Sequence, residues 1–348
     1  MKPVGVTYSI RGDKMKISAY CTTRNAEEME YPYLESIRSH LAFADEVVVF
    51  DTSDGKDKTL ETLNALAAEE PKLKVIHSDK IDWNAPNHGV FDGYVKTLSR
   101  KQCTGDILWQ FDIDEVVHEQ HVPLIRPLAE TFQKQTGFDL MALPVVDYWG
   151  REGKARLDVT VWKWRLSKNK PDIIHGIPVQ LRKYENGLLY ANHGTDGCDY
   201  ISAATGNIIP CAGYLPPGFD QLKHAAIRDE KLVPKAEKFL NEVLAQLPGV
   251  HHYSWFNIER KIKNYRTFWT TFWPAMYNET RDERNNPMFP GLTWNEVTEH
   301  MIVQKAIELE QGTGGHIFHR PWDGSKNNSY LVEMGHPNIV KHWIEANK

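Results

Sequence analysis

The sequence predicts an α/β fold: a Rossmann-like, mainly parallel central sheet with a helical C-terminal region. Three observations lead there. Between Met15 and Phe111, four short apolar runs alternate with stretches of helical period, the rhythm of crossover units that put helices between parallel strands. The fourth run ends in two carboxylates one residue apart, Asp112 and Asp114, and an open α/β sheet presents its ligand at strand ends. From Trp255 onward, apolar residues recur every three or four positions, the repeat of a helix with one buried face.

Taken in order, Met15–Ala19 reads as a strand and Tyr20–Asn25 as the polar turn after it. Leu34, Ile37 and Leu41 mark a helix, Glu46–Phe50 a buried strand, and Asp51–Asp57 (DTSDGKD) a turn built from Asp, Ser and Gly. The pattern repeats with a helix at Leu60, Leu63 and Ala67, a strand over Leu73–His77, a helix over Val90–Cys103 and a strand over Ile107–Phe111. After Glu115 the rhythm changes: Leu124, Leu128 and Phe132 give one more helix, then Asp139–Trp149 and Leu157–Leu166 read as long strands. Glycines punctuate a loop-rich stretch from Lys168 to Pro217. Trp255, Ile258, Ile262, Tyr265, Trp269 and Phe272 form an aromatic helical stripe. Thr293 with Glu296 is a capping box opening a helix near Trp294–Glu310, and Ile339–Ala346 closes the chain with another. The expected division is a first domain over 1–235, with a nucleotide-type α/β half at 15–117 and a second half at 118–235, followed by a helical region at 236–348.

Composition narrows the function classes. The 348 residues are 41% hydrophobic and 25% charged with a formal charge of -5, which is ordinary for a globular protein and lacks the basic footprint of a nucleic-acid binder. No apolar run reaches the roughly eighteen residues of a membrane span and the N-terminus has no signal-like core, so the expectation is a cytoplasmic protein. The four cysteines are widely spaced, which argues against a zinc cluster or a disulfide scaffold.

The chemistry gathers on one rim. Strand ends bring Thr22, Thr23, Arg24, Asp51 and the acidic pair together. On an extended strand, residues i and i+2 point the same way, so Asp112 and Asp114 can converge on one hard cation, manganese or magnesium rather than zinc. Asp51 can accept from the ring N–H of a base, while Thr22, Thr23 and Arg24 can bond base, ribose or phosphate. A metal held by Asp114, with Lys96, Arg100 or Lys101 nearby, can balance the charge of a leaving diphosphate.

With those residues in view, VVVFDTSDGKDKTLE resembles the second strand and acidic loop of glycosyltransferase family 2. GDILWQFDIDE resembles that family's strand running into its D-x-D motif, and ISAYCTTRN its first strand; the likeness covers about Lys16 to Val117. The resemblance implies the A-type glycosyltransferase fold, a nucleotide-sugar donor such as a UDP-sugar, a carbohydrate or other hydroxyl acceptor, and a divalent metal at Asp112 and Asp114. Lys96 stands about where family members carry an Arg. By likeness to the segment LKHAAIRDEKLVPKAEKF, His224 is a candidate third ligand for metal or diphosphate. A strand carrying Trp and Arg before a His-containing turn is matched by WKWRLSKNKPDIIHGI, without the family's Glu. The usual Glu-Asp pair is also missing, and HGTDGCDY offers Asp196 or Asp199 as the base that deprotonates the acceptor.

Other readings compete. The string Asp112-Ile113-Asp114-Glu115-Val116 also fits aspartate-nucleophile phosphatases, where Asp112 would carry the phosphoryl group, although that motif normally lies on a first strand. A sugar-nucleotide pyrophosphorylase would need a glycine-rich loop that Cys21–Asn25 lacks. A non-catalytic nucleotide- or carbohydrate-binding module is the third alternative.

Overall fold

The computed structural model describes residues 14–81, 89–151, 153–156, 162–175, 184–185, 188–189, 200–205, 207, 209, 211–212, 230–267, 288–310 and 331–347. In chain order the first unit is β1 (Ile17–Thr23), α1 (Tyr33–Leu41), β2 (Glu46–Asp51), α2 (Thr59–Glu69), β3 (Leu73–His77), α3 (Gly89–Arg100) and β4 (Ile107–Gln110). All four strands are parallel, in spatial order β4-β1-β2-β3. This is the strand–helix alternation that the hydrophobic periodicity predicts, and the fold is mixed α/β with a Rossmann-like half.

The chain continues through β5 (Glu115–Val117), α4 (Val122–Lys134), β6 (Leu140–Trp149), β7 (Lys154–Arg156), β8 (Trp162–Lys168) and β9 (Ile173–His175). Short strands β10 (Tyr184–Glu185), β11 (Leu188–Leu189), β12 (Tyr200–Ser202) and β13 (Cys211–Ala212) follow. Then come α5 (Val233–Leu244), β14 (Val250–Trp255), α6 (Ile258–Thr267), α7 (Glu299–Glu310), β15 (Leu331–Glu333) and α8 (Lys341–Ala346). Strand β8 lies antiparallel between β4 and β6, so the parallel half joins a second half through one reversed strand. All ten residues of β6 are buried, as expected for a strand covered on both faces.

Three sequence expectations shift. Strand β1 extends through Thr23, where a polar turn is expected from Tyr20. Tyr20 is instead fully buried, paired on both sides with Val48 and Gln110, and its hydroxyl meets His175 Nε2 at 2.7 Å and the Tyr200 hydroxyl at 3.2 Å. Trp255 belongs to strand β14 rather than to the aromatic helix. The helix starts only at Ile258, and the expected stripe beyond Thr267 lies outside the described residues. The capping box forms, with Thr293 N donating to Glu296 Oε2 at 2.8 Å, but it closes a turn; α7 begins at Glu299, where Thr298 Oγ1 accepts from Met301 N at 3.3 Å.

Close approach fixes the seat of β4. Gly105, just before it, donates its N–H to Ser18 Oγ at 2.7 Å, and a Cβ there would lie 2.7 Å from the Ser18 backbone nitrogen. Only glycine lets the chain enter beside β1 this tightly. β14 then threads into the second half, parallel to β6 and antiparallel to β5, with His252 opposite Asp147 on one side and Glu115 on the other. That register carries a C-terminal residue to the acidic turn.

Candidate active site

Asp112 and Asp114 do not lie on an extended strand. They occupy a turn between β4 and β5, closed by Glu115 N donating to the Asp112 carbonyl at 2.9 Å and by Asp112 N donating to Glu115 Oε2 at 3.2 Å. Ser36 on α1 braces it by donating to the Glu115 carbonyl at 2.5 Å. The turn, rather than strand alternation, brings both carboxylates to one cleft of about 260 Å³, lined by Thr22, Tyr31, Lys96, Asp112, Ile113, Asp114, His252 and Ser254.

The two acids have different cationic partners. Asp112 Oδ1 receives Gln110 Nε2 at 3.0 Å and faces Lys96 Nζ at 3.3 Å, while Oδ2 receives Arg165 Nη2 at 2.9 Å with Lys163 Nζ at 3.9 Å. Burial opposes its charge, yet Lys96, Arg165 and Lys163 hold its carboxyl well below the usual carboxylate range. Arg165 is itself fully buried; it also bonds Gln110 Oε1 and both oxygens of the fully buried Glu115, which Lys163 reaches at 3.0 Å. A buried charge survives only when paired and hydrogen-bonded, and this cluster meets that condition for Arg165.

Asp114 pairs with His252. His252 Nε2 is 3.6 Å from Asp114 Oδ1, and His252 Nδ1 is 2.9 Å from Asp147 Oδ1 on β6. Burial and Lys163 act against a charged imidazole, but the two carboxylates outweigh them and raise His252 to about 9. Burial likewise acts against the Asp114 charge, and His252 brings its carboxyl down to about 2. Tyr253 N donates to the Asp114 carbonyl at 2.8 Å, fixing β14 to the turn.

Sequence-predicted residues divide into three groups. Thr22, Lys96, Asp112 and Asp114 line the cleft together. Thr23, Arg24 and Asp51 stand beside one another at the neighbouring ends of β1 and β2, Thr23 being paired with Asp51, but outside the cleft lining. Asp51 is fully buried, its oxygens taken by Ser53 Oγ at 2.7 Å and His77 Nδ1 at 2.8 Å, while Arg24 reaches Asp54 at 3.4 Å. Thr23 Oγ1 is buried without a partner among the described residues. Arg100 turns away, donating to the Ile173 carbonyl at 2.9 Å, to Ser167 Oγ at 2.6 Å and to the Lys168 carbonyl at 2.7 Å. Asp196, Asp199 and His224 lie outside the described residues.

Sequence reasoning gave no role to His252, Asp147, Lys163, Arg165 or Tyr31. Signals existed for two of them. Arg165 interrupts an apolar alternating strand, W-K-W-R-L, and a charged residue at an inward position demands a buried partner. His252 sits in V-H-H-Y-S-W, two adjacent histidines in a buried strand.

Next to the cleft, Arg260 at the start of α6 stacks over the Tyr31 ring at 4.9 Å and donates through Nη1 to the Glu30 carbonyl at 2.5 Å and carboxylate at 3.3 Å. Lys261 Nζ bonds Ser254 Oγ.

Among the described residues, no group of three or more His, Cys, Asp or Glu side chains is placed to hold a metal ion. The donor chemistry nevertheless fits one shared with a ligand. Asp114 Oδ1 and His252 Nε2 face each other, and Asp147 holds the other imidazole nitrogen, the carboxylate–histidine arrangement that orients a metal ligand. Magnesium and manganese commonly take few protein ligands and complete their shell with water and phosphate oxygens. Asp112, with both oxygens already held by cations and an amide, fits a supporting place better than a direct one.

Fold and cleft together define an α/β protein with a Rossmann-like half and an acidic turn beside buried cations at its strand ends. No family model matches the chain, and no curated protein matches it by sequence. Among solved structures it is similar to S. aureus TarS at 17% identity, over 86% of this chain and 54% of that one, with a TM-score of 0.34. Against S. aureus TarS 1-349 in complex with UDP-GlcNAc the identity is 15%, over 86% and 90% of the two chains, with a TM-score of 0.33. The complex of the same protein with UDP gives 16%, 86%, 90% and 0.33. The chain thus spans about half of the longer TarS chain.

Proposed function

We propose that this chain is a glycosyltransferase of the A-type fold, moving a sugar from a nucleotide diphospho-sugar, UDP-linked, to an acceptor hydroxyl with the help of a divalent cation. The observation that carries this reading is the Asp114–His252–Asp147 line opening into a cleft beside Lys96. It pairs a site for one cation with fixed positive charge, the combination a departing diphosphate demands.

The donor would lie across the ends of β1 and β2, its nucleoside near Thr22, Thr23 and Arg24 and near Ser53 and His77, which Asp51 orients, and its diphosphate at Lys96 and Asp114. Asp114 and His252 would hold manganese or magnesium, which when bound neutralises charge on the diphosphate oxygens. Asp112 serves as the fixed counter-ion of Lys96 and Arg165, keeping the Lys96 ammonium at the cleft wall. The acceptor oxygen attacks the anomeric carbon, Asp196 or Asp199 takes its proton, and the bond from that carbon to the phosphate oxygen breaks with its electron pair on the diphosphate.

The aspartate-nucleophile alternative asks Asp112 to attack phosphorus, but a carboxylate held on both oxygens by Lys96, Gln110 and Arg165 is a poor nucleophile. A panel of nucleotide-sugars assayed for hydrolysis or transfer, with and without manganese, tests the proposal. Metal-dependent release of a nucleoside diphosphate is expected, and Asp114→Ala should abolish it while the protein remains folded. Full activity in that variant, or phosphate trapped on Asp112, would overturn the assignment.

A further inference from the structure

On helix α6, Nε and Nη2 of Arg260 and Nδ2 of Asn264 are buried donor atoms that have no hydrogen-bond partner among the described residues. Residues four apart share one helix face, so these orphans lie a single turn from each other. Arg260 is 8% exposed, and leaving such donors unpaired is costly.

The pattern within Arg260 is specific. Nη1 is occupied by Glu30, and the two orphaned nitrogens are the Nε–Nη2 edge, the fork that grips two oxygens of one carboxylate or phosphate side by side. Every orphaned atom is a donor, so the missing partner is an acceptor and an anion rather than a cation or an apolar group. Its location is tied to the cleft: the guanidinium lies over Tyr31, a cleft wall, and feels the charge of Asp114, another.

We propose that Arg260, with Asn264 one turn on, is a second oxyanion subsite of the cleft that takes a phosphate or carboxylate side-on through its free edge. The proposal rests on the nucleotide-sugar reading, under which the oxyanion is either the terminal phosphate of the nucleoside diphosphate or a carboxylate on the transferred sugar. The Tyr31 ring packs against the guanidinium at 4.9 Å. Tyr31 follows Glu30, which is held at φ 50, a left-handed conformation that a non-glycine side chain rarely adopts.

Calorimetric titration of the full chain with inorganic pyrophosphate, UMP, UDP and UDP-glucuronate, at fixed magnesium, reads the subsite. Arg260→Lys keeps the charge and removes the fork, Arg260→Gln removes both, and Glu30→Gln loosens the loop while sparing the fork. Losing a charge-assisted bidentate contact should weaken binding at least about tenfold. Loss for pyrophosphate and UDP with UMP spared identifies the phosphate; loss for UDP-glucuronate alone identifies the carboxylate. Both outcomes support the subsite. Wild-type affinities throughout in Arg260→Lys and Arg260→Gln, or equal losses in Arg260→Lys and Glu30→Gln, would overturn it, the latter by reducing Arg260 to a loop clamp. If the wild-type protein binds pyrophosphate in an Arg260-dependent way but no uridine nucleotide, the nucleotide-sugar reading fails and the subsite stands. Binding of none of the four compounds by the wild-type protein overturns both.

Discussion

His251 and His252 are neighbours on β14 and point to opposite faces of the same strand, and their chemistry is opposite. His252 lies between the Asp114 and Asp147 carboxylates and is raised to about 9. His251 packs against His121 and His118, with ring centroids 5.7 and 5.3 Å away, and burial followed by those neighbours pushes it well below its ordinary value. Burial penalises both; the sign is decided by what faces each ring. Tautomers follow as well. Tyr148 donates to the Gly335 carbonyl at 2.5 Å, so its hydroxyl must accept from His251 Nδ1 at 3.1 Å, leaving Nε2 an acceptor with no partner among the described residues. His118 and His121 accept backbone N–H bonds at their Nδ1 atoms, at 3.2 and 3.1 Å. One strand thus separates a charged working face from a neutral structural face.

Substitutions on the two faces should therefore diverge. The largest effect is expected from His252→Gln, which removes the proposed cation ligand: metal-supported turnover should fall about a hundredfold or more while the protein melts cooperatively, and Asp147→Asn, which only frees the imidazole, should cost about 10- to 100-fold in metal affinity. Metal titrations of the two variants check the order; equal, small losses would dissolve the contrast between faces. A smaller effect is expected with pH. A cation at Asp114 must displace the His252 proton, so apparent manganese affinity should rise about tenfold per unit between pH 6 and 8 and flatten towards 9. The stability contribution runs the other way. A raised folded-state value means the His252 ion pairs stabilise fully below the ordinary histidine range and lose that contribution as pH rises through about 9, so without metal the wild-type Tm should decline over that window and His252→Gln should be flatter. The smallest change in function is expected from His251→Gln, which should lower stability by about 1–3 kcal/mol through broken buried hydrogen bonds and leave manganese affinity unchanged.

The comparison also measures what was legible in the sequence. The parallel half could be read almost residue by residue, because buried strands of four to seven residues alternating with amphipathic helices carry a strong periodic signal; β3 falls on the expected Leu73–His77. Asp112 and Asp114 could be seen as a site because they follow an apolar run, and an open α/β sheet presents its ligand at strand ends. Their geometry could not, since the turn that aims them depends on Glu115 bonding back to Asp112 and on Arg165 arriving from β8. His252 was hidden for the same reason: its partner Asp147 is 105 residues away in sequence, and only the β14–β6 register puts them together. Trp255 misled because aromatic spacing in a strand followed closely by a helix mimics one longer helix. Local pattern specifies elements, while the site is made by long-range register.

The central claim, a cleft that binds a nucleoside diphosphate together with a cation at Asp114, is tested most directly by thermal unfolding with UDP and manganese, separately and together. A ligand that binds only the folded state raises Tm by mass action. The account predicts a clear rise in wild-type Tm with both present, a smaller one with either alone, and loss of the combined rise in Asp114→Ala. No rise with any nucleoside diphosphate, with or without metal, would contradict it.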